Sequence, residues 1–177
     1  HQSVPIGKTE DDNVVIREFG KKPSFDFEIK DHIGIANSLN LIDMERGAKI
    51  AGSGFPLYTG NGAKLERSLI SFMLDHHVSN GYSELFPPFL TTEDTTMTTG
   101  QLPKFKEDMY YIEKDNLYCI STAEVPVTNF YKNEIVSIEK LPSKFVAYSA
   151  CFRREAGSYG KDTKGLLRVH QFNKVEL

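Results

Sequence analysis

The chain has 177 residues, of which 40% are hydrophobic, so it can bury one sizeable core and one domain is the default expectation. Its net charge of −3 excludes the strongly basic surface typical of general nucleic-acid binders. No signal peptide is recognised, and no apolar run approaches the roughly 18 residues of a membrane span, which predicts a cytoplasmic protein without membrane contact.

Cysteine and histidine spacing predicts no metal site. There is no C-x-x-C or H-E-x-x-H motif, and the adjacent His76 and His77 would point about 100° apart on a helix. Cys119 and Cys151 lie in apolar stretches, so we predict buried thiols rather than a disulfide.

The first third of the chain predicts short elements separated by turns. Residues 1–24 are polar, with a short strand predicted over Val14–Phe19. A helix is predicted from Asp31 to Leu41, with Asp31 as its N-cap, and residues 42–51 are predicted to form a turn or helix. The glycine-bounded stretch Gly52–Gly60 is predicted to be a strand.

A long amphipathic helix is predicted from Ala63 to Asn80, with Gly81 just past its end. Apolar residues recur at helical spacing: Leu65, Leu69, Phe72, Met73 and His76. The following stretch, Tyr82–Leu90, reads as a strand that must be at an edge or at its end because it contains Pro87-Pro88. The two elements are compatible with a self-pairing surface and equally with simple core packing.

The middle of the chain predicts a hairpin followed by a short helical region. Tyr110–Glu113 and Asn116–Ile120 flank a Lys-Asp-Asn turn. Thr122 and Glu124 then lie two residues apart, which is typical of a helix N-cap and a first-turn acid. A short helix is predicted to continue over Val127–Tyr131.

A second hairpin closes the chain. Strands are predicted over Phe145–Glu155 and Leu167–Glu176, around a loop of Gly, Lys and polar residues at 157–165. Because side chains alternate across a strand, one face would carry the following residues: Arg153, Glu155, Arg168, His170, Phe172, Lys174 and Glu176.

That face has two possible readings. Arginine forks hold phosphates, an aromatic ring stacks on a base, and a carboxylate pairs with an ammonium group, so the set suits a nucleotide together with an amino acid. The alternative is an ordinary sheet face with Arg–Glu pairs between strands. The segment from Arg153 to Lys174 carries six basic and two acidic side chains, which favours an anionic ligand held at one site.

The amino-acid sequence of this hairpin resembles a known motif. FRRE, a loop and GLLRVHQFNKVE are similar to motif 2 of the class II aminoacyl-tRNA synthetases, and AGSYGKDTKGLLRVHQF resembles the seryl-tRNA synthetases in particular. Other stretches agree: HQSVPIG resembles the junction after the family's N-terminal arm, GQLPKF a mobile rim of its active site, and Thr122-Ala123-Glu124 its serine-binding loop. The family has Pro before that triplet, where this chain has Ser121.

The resemblance implies a fold and a domain organisation. The fold would be α+β, an antiparallel sheet flanked by helices. Residues 1–24 would be the linker after the helical arm, and residues 25–177 the N-terminal part of the catalytic domain. Ala63–Leu90 resembles motif 1, through which class II synthetases form homodimers.

The resemblance also implies a reaction. ATP and serine would give seryl-adenylate and pyrophosphate, and the seryl group would then pass to tRNA(Ser), with tRNA(Sec) as a further acceptor. ATP is a substrate that would bind with Mg²⁺, and no residue is assigned to the metal. The loop at 157–165 would meet the tRNA acceptor end, with phosphate contacts from its lysines.

Site residues follow by resemblance. Arg153, bridging the α-phosphate and the serine carboxylate, and Arg168, on the γ-phosphate, would be the catalytic residues. The ATP site would comprise Arg153, Arg154 in a supporting role, Glu155 on the adenine amino group, Arg168, Val169 and the adenine-stacking Phe172. The serine site would comprise Thr122, Ala123, Glu124, Arg153 and Glu176.

The chain departs from the full family pattern. No match to the Gly-rich motif 3, or to the later carboxylate that helps hold Mg²⁺, is found, and both ends read as cut. An isolated chain is therefore expected to be impaired. Three alternatives remain: a synthetase-like protein that binds nucleotide or amino acid without charging tRNA, a single-strand RNA module, and a sister synthetase for threonine or proline.

Overall fold

The computed structural model describes residue 4, residues 6–155 and residues 165–177. Contacts divide the chain into two compact units, His1–Lys30 and Asp31–Leu177. The described residues of the first unit are exposed and form one 3-10 turn, Glu10–Asp12. The predicted strand Val14–Phe19 is wrong: this stretch has no regular structure, because no described strand of its own unit lies beside it to complete a ladder.

The second unit contains five α-helices in its described part. They are α1 (His32–Ser38), α2 (Met44–Ala51), α3 (Asn61–Ser79), α4 (Glu93–Thr98) and α5 (Glu124–Thr128), with 3-10 turns at Lys106–Asp108 and Ile138–Lys140. The Asp31 carboxylate accepts a 2.7 Å hydrogen bond from the Gly34 N–H, which confirms the predicted N-cap.

The described strands form two three-stranded sheets. They are β1 (Ser83–Leu85), β2 (Leu90–Thr92), β3 (Tyr111–Ile112), β4 (Leu117–Cys119), β5 (Phe145–Phe152) and β6 (Gln171–Glu176). One sheet has the order β1-β5-β6 and the other β2-β4-β3. The predicted α+β class is confirmed, although β1 pairs with β5 in parallel, so the first sheet is not purely antiparallel.

The two predicted hairpins are confirmed. β3 pairs with β4, and Asn116 in their turn adopts the left-handed conformation that Asn tolerates. β5 pairs with β6 in the register Ala147↔Glu176 to Phe152↔Gln171. Residues 156–164, most of the predicted tip loop, lie outside the described part of the chain.

Two strand predictions are corrected. Gly52–Gly60 is not a strand: only Tyr58 makes an isolated bridge, to Ile42, because this segment packs on α2 so closely that a Cβ on Gly47 would lie 2.1 Å from the Phe55 oxygen. The predicted strand Tyr82–Leu90 is split into β1 and β2, which belong to different sheets, since prolines 87 and 88 interrupt the backbone donors.

Helix α3 begins two residues and ends one residue earlier than predicted, with Asn80 as its C-cap and Gly81, at φ 85°, in the predicted position just beyond. Its apolar stripe faces outward: Leu65, Leu69, Phe72 and Met73 are 52, 46, 65 and 37% exposed. The residues that face the sheet are buried or half-buried: Gly62, Glu66, Ile70, Leu74 and His77. Hydrophobicity therefore did not identify the face of this helix that packs on the sheet.

Ile120 joins the two sheets. It is fully buried, its N–H donates to the Phe89 oxygen at 3.0 Å, and its own oxygen accepts from the Phe152 N–H at 2.8 Å. The segment that follows, which leads into α5, is thereby fixed beside the β5–β6 hairpin.

Candidate active site

A cavity of about 390 Å³ lies where the segment after β4 meets the β5–β6 hairpin. Its volume falls in the range of small-ligand sites. It is lined by Gln101, Phe105, Asp108, Met109, Ser121, Thr122, Glu124, Arg153, Glu155, Arg168 and Lys174. The cavity thus combines cations, carboxylates and hydroxyls with a small apolar wall.

Arg153 is held in this cavity by neutral partners. Its Nε and one terminal nitrogen each lie 3.4 Å from the Ser121 carbonyl oxygen, and its guanidinium lies 5.1 Å from the centroid of the Phe172 ring. Its backbone N–H donates to the His170 oxygen at 3.0 Å. None of the ion pairs between described residues involves Arg153, so its charge is presented to the cavity.

Arg168 and Glu155 form an ion pair at 3.1 Å. Glu155 has a φ of 51°, a left-handed conformation that is strained for a residue with a Cβ. This pair is what an ordinary sheet face with Arg–Glu pairs between strands would show, whereas Arg153 forms no ion pair with a described residue. The positive charge of the predicted face is therefore only partly neutralised within the protein.

A second polar cluster contributes Thr122, Glu124 and Lys174 to the lining of the cavity. The Thr122 hydroxyl donates to the Glu176 carboxylate at 2.6 Å and accepts from the Glu124 N–H at 3.2 Å. The Lys174 ammonium lies 2.9 Å from the Thr122 oxygen and forms an ion pair with Glu176. The predicted N-cap role of Thr122 is wrong: α5 begins at Glu124, so Ala123 is its N-cap and makes no side-chain capping bond, whereas Glu124 is the first-turn acid as predicted. The Thr122 side chain lines the cavity instead.

The electrostatics of this cluster favour an ionised carboxylate. Burial raises the pKa of Glu176, but hydrogen bonds from Lys174 and Thr122, with the charges of Lys174 and Arg153, outweigh burial and bring the pKa below its ordinary value. Beneath them, burial raises the pKa of the Cys151 thiol. Cys151 is therefore a buried structural thiol and not an activated nucleophile.

Several predicted site residues do not line the cavity, among them Phe172, Ala123, Val169 and Arg154. Phe172 lies under Arg153, while Ala123 is fully buried and Val169 nearly so. The Arg154 side chain does not line the cavity: its guanidinium lies over the Tyr110 ring at 4.8 Å, and its Nε donates to the Met109 oxygen.

His170, which alternation placed on the same face, lies outside the cavity. Its ring stacks on Phe55 at 5.2 Å, and its Nδ1 lies 3.0 Å from the Arg153 oxygen. The reason is that His170 precedes β6 and packs against the Gly54 segment, whose carbonyl accepts its N–H at 2.8 Å. Period-two alternation therefore fails at His170, which lies outside the regular strand.

Several cavity residues were missed. Lys174 was placed on the face without a role, although its spacing from Phe172 and Glu176 was a signal for one. The apolar wall comes from Met109, which was missed, and from Phe105, which lies in the stretch that resembles the active-site rim. The Ser121 carbonyl fixes Arg153 across 32 residues of chain. No local pattern marks contacts of this kind, because they arise only when distant segments meet.

The described residues offer neither a metal cluster nor a membrane-spanning helix. The described residues contain no group of three or more His, Cys, Asp or Glu side chains arranged to hold a metal ion. None of the described helices combines the length and apolar character needed to cross a membrane.

Comparisons with known proteins agree with this geometry. Residues 105–177 match the model of the family described as tRNA synthetase class II core domain (G, H, P, S and T). Over the whole chain, the serine–tRNA ligases of Chloroherpeton thalassium and Halothermothrix orenii are 60% and 56% identical. The chain spans 42% of the length of each of these relatives.

Two solved structures cover 99% of the chain. The seryl-tRNA synthetase of Pyrococcus horikoshii, complexed with ATP, matches with a TM-score of 0.89 and 35% identity, and 44% of its length is covered. The cytoplasmic serine–tRNA ligase of Naegleria fowleri, in complex with AMP, matches with a TM-score of 0.87 and 30% identity over 42% of its length.

The fold matches that of the seryl-tRNA synthetase structures, and residues 105–177 match the class II synthetase core-domain family. Over its whole length the chain is similar to the serine–tRNA ligases and corresponds to part of their length.

Proposed function

We propose that the protein is an ATP-dependent serine–tRNA ligase, which activates serine and transfers it to tRNA(Ser), and also to tRNA(Sec). One observation carries the proposal. Arg153, the Arg168–Glu155 pair and Thr122, which is hydrogen-bonded to Glu176, line a single cavity, in a chain 56–60% identical to serine–tRNA ligases.

In the first step, a serine carboxylate oxygen attacks the α-phosphorus of ATP while the bond to the bridging oxygen breaks and pyrophosphate leaves. Two anions must meet, so the site needs fixed positive charge more than a nucleophile. Arg153 fits this task because it is held by a carbonyl and an aromatic ring and retains its charge for the ligand. Arg168 would bind the γ-phosphate after leaving Glu155, which would then accept the adenine amino group.

The serine side of the site would use the Thr122 cluster. Glu176 is kept ionised and would pair with the serine ammonium, while Thr122 and Glu124 would bind the amino and hydroxyl groups. A site built to hydrogen-bond a hydroxyl discriminates strongly against ligands that lack one. Ala123 would complete the serine-binding loop. Phe172 would stack on adenine with the Val169 backbone nearby, and Arg154 would have a supporting role.

In the second step, a terminal ribose hydroxyl of tRNA attacks the seryl carbonyl and AMP leaves. Mg²⁺ is proposed only as the ion that accompanies ATP, since the described residues form no cluster of ligands for it. We further propose a homodimer formed through Ala63–Leu90 and a cytoplasmic location. The domain assignment, with a linker at 1–24 and catalytic residues from 25 onward, is retained as part of this proposal.

The test is serine-dependent ATP–pyrophosphate exchange, with threonine and alanine as competing substrates. Exchange is measured with the protein encoded by the full reading frame and with residues 1–177 alone. Arg153→Ala is expected to lower exchange by about a hundredfold or more, because one fixed charge at the reacting phosphate is removed. The matched control is Arg46→Ala, which removes an exposed arginine paired with Asp43 outside the cavity.

The outcomes separate the alternatives. Serine-selective exchange that is lost only in Arg153→Ala supports the ligase. Selectivity for threonine would indicate a sister synthetase. Binding of serine and ATP by the full-length protein without any exchange would indicate the non-catalytic alternative and would contradict the proposed function.

A further inference from the structure

Lys174 holds the same partners that the proposed function assigns to the amino group of serine. Its ammonium forms an ion pair with Glu176 and lies 2.9 Å from the Thr122 oxygen. Lys174 also lines the cavity, and its side chain is about a third exposed, so it can turn. The side chain therefore brings an ammonium group of the protein to the position of a substrate ammonium.

The valence of the Thr122 hydroxyl makes this overlap restrictive. A hydroxyl has one hydrogen and two lone pairs. The hydrogen is donated to Glu176, and the lone pairs accept from Lys174 and from the Glu124 N–H. An additional ammonium can therefore bind Thr122 only if one of these donors leaves.

Lys174 is the donor able to leave. The Glu124 N–H belongs to the first residue of α5, whose backbone is fixed by the buried residues Ala123 and Val125. The lysine has a flexible stem with several rotatable bonds and loses only hydrogen bonds that water can replace. Glu176 remains paired throughout, because one ammonium replaces another.

We propose that Lys174 is an internal competitor for the substrate amine, so that serine binds by exchanging its ammonium for that of Lys174. This inference rests on the proposed function and adds a residue that sets its affinity and selectivity. Ligands with an amino group must displace Lys174, whereas an amine-free analogue need not.

The test compares two ligands, L-serine and 3-hydroxypropanoate, which is serine without its amino group. Dissociation constants are measured by calorimetry at neutral pH on the full-length protein and on two variants. Lys174→Met removes the competing ammonium and keeps an apolar stem of similar length. Lys132→Met is the matched control, because Lys132 is also ion-paired, with Asp94, but lies outside the cavity.

Lys174→Met is expected to tighten serine binding by roughly three- to tenfold, because the apparent affinity no longer includes displacement of the lysine. It should not tighten binding of 3-hydroxypropanoate, and Lys132→Met should change neither constant. Unchanged or weaker serine binding in a folded Lys174→Met protein overturns the inference alone. Absence of serine binding in the wild type overturns the proposed function, and this inference with it.

A second measurement does not depend on that variant. The side-chain ammonium signals of ¹⁵N-lysine-labelled wild-type protein are followed by NMR, with Lys174 assigned by comparison with Lys174→Arg. Saturating serine should shift the Lys174 signal, and 3-hydroxypropanoate should shift it much less. A Lys174 signal that stays in place while serine binds contradicts the exchange.

Discussion

The two arginines of the cavity differ in how much of their charge the protein itself uses. Arg168 is paired with Glu155, while Arg153 is supported by the Ser121 carbonyl and the Phe172 ring. A cation held over an aromatic face keeps its orientation without being neutralised. Arg153 is accordingly the residue from which we expect the largest effect on chemistry.

Thr122→Val tests the hydroxyl that contacts Glu176, Lys174 and the Glu124 N–H. The substitution keeps the volume but removes the bond to Glu176, so serine binding should weaken by about ten- to a hundredfold. Exchange kinetics with serine measure the effect. Thr98→Val, which removes a hydroxyl bonded to Asn129 outside the cavity, is the control. Equal effects of the two variants would contradict a role in serine recognition.

The lowered pKa of Glu176 gives a pH dependence of stability. Because the folded-state pKa lies below the unfolded one, its contribution is complete above about pH 4.3, the ordinary glutamate value, and is lost as the pH falls through the folded-state pKa. Urea unfolding across this acidic range should show a steeper loss of unfolding free energy for the wild type than for Glu176→Gln. Parallel curves for the two proteins would show that the carboxylate contributes nothing through its ionisation.

At the scale of elements, helix α3 is positioned by its glycine rather than by its apolar stripe. A Cβ on Gly62 would lie 1.9 Å from the Leu41 backbone oxygen, so the first turn approaches that segment more closely than any other residue allows. Its inner face reaches the hairpin through Glu66, which accepts a 3.0 Å hydrogen bond from Asn173 on β6. Asn173 in turn accepts from the Tyr148 hydroxyl on β5.

Gly62→Ala is therefore expected to destabilise the fold, although alanine is the better helix former by about 1 kcal/mol. The clash is with backbone and cannot be relieved by a rotamer change, so we expect a loss of about 2–4 kcal/mol. Urea unfolding measures it. The exposed neighbour Ala63→Gly should lose only about 1 kcal/mol. Greater stability of Gly62→Ala would show that the helix can shift away from Leu41.

At the scale of the whole molecule, the outward stripe of α3 (Leu65, Leu69, Phe72 and Met73) is an apolar surface that the described chain leaves exposed. A row of large apolar side chains, a third to two thirds exposed, is unusual for a monomer surface and typical of an interface. The proposed homodimer would cover it with the same stripe from a second copy.

Sedimentation velocity tests the dimer. The wild-type chain, of 20.0 kDa, should sediment as a species of twice that mass, and Leu69→Asp or Phe72→Asp should convert it to monomer, because a buried unpaired carboxylate opposes the interface. Ser71→Asp places the same charge on the polar, exposed side of α3 and should leave the dimer intact. A monomeric wild type would contradict the proposal.

Local chemistry made much of this fold predictable. Asp31 was recognisable as an N-cap, Gly81 as a helix end and the Lys-Asp-Asn turn as a hairpin, because each depends on residues a few positions apart. Alternation along β6 placed Phe172, Lys174 and Glu176 on one face: Lys174 lines the cavity, while Phe172 and Glu176 contact the lining residues Arg153 and Thr122.

Predictions failed where a segment's structure depends on distant partners. Val14–Phe19 and Gly52–Gly60 have strand-like composition but lack a strand to pair with, and His170 lies just outside the regular ladder. The fixing of Arg153 by Ser121 likewise depends on Ile120, which joins the two sheets.

The sequence by itself determined the class of fold, its hairpins, most helix ends and the residues of the family motifs, because local propensities and family motifs depend on residues that are close together in the sequence. Only the tertiary structure decided which cations remain available and which face of α3 is buried. It also brought the Lys174 ammonium to Thr122 and Glu176. These are properties of contacts between segments tens of residues apart, and charge neutralisation and burial exist only once those segments have met.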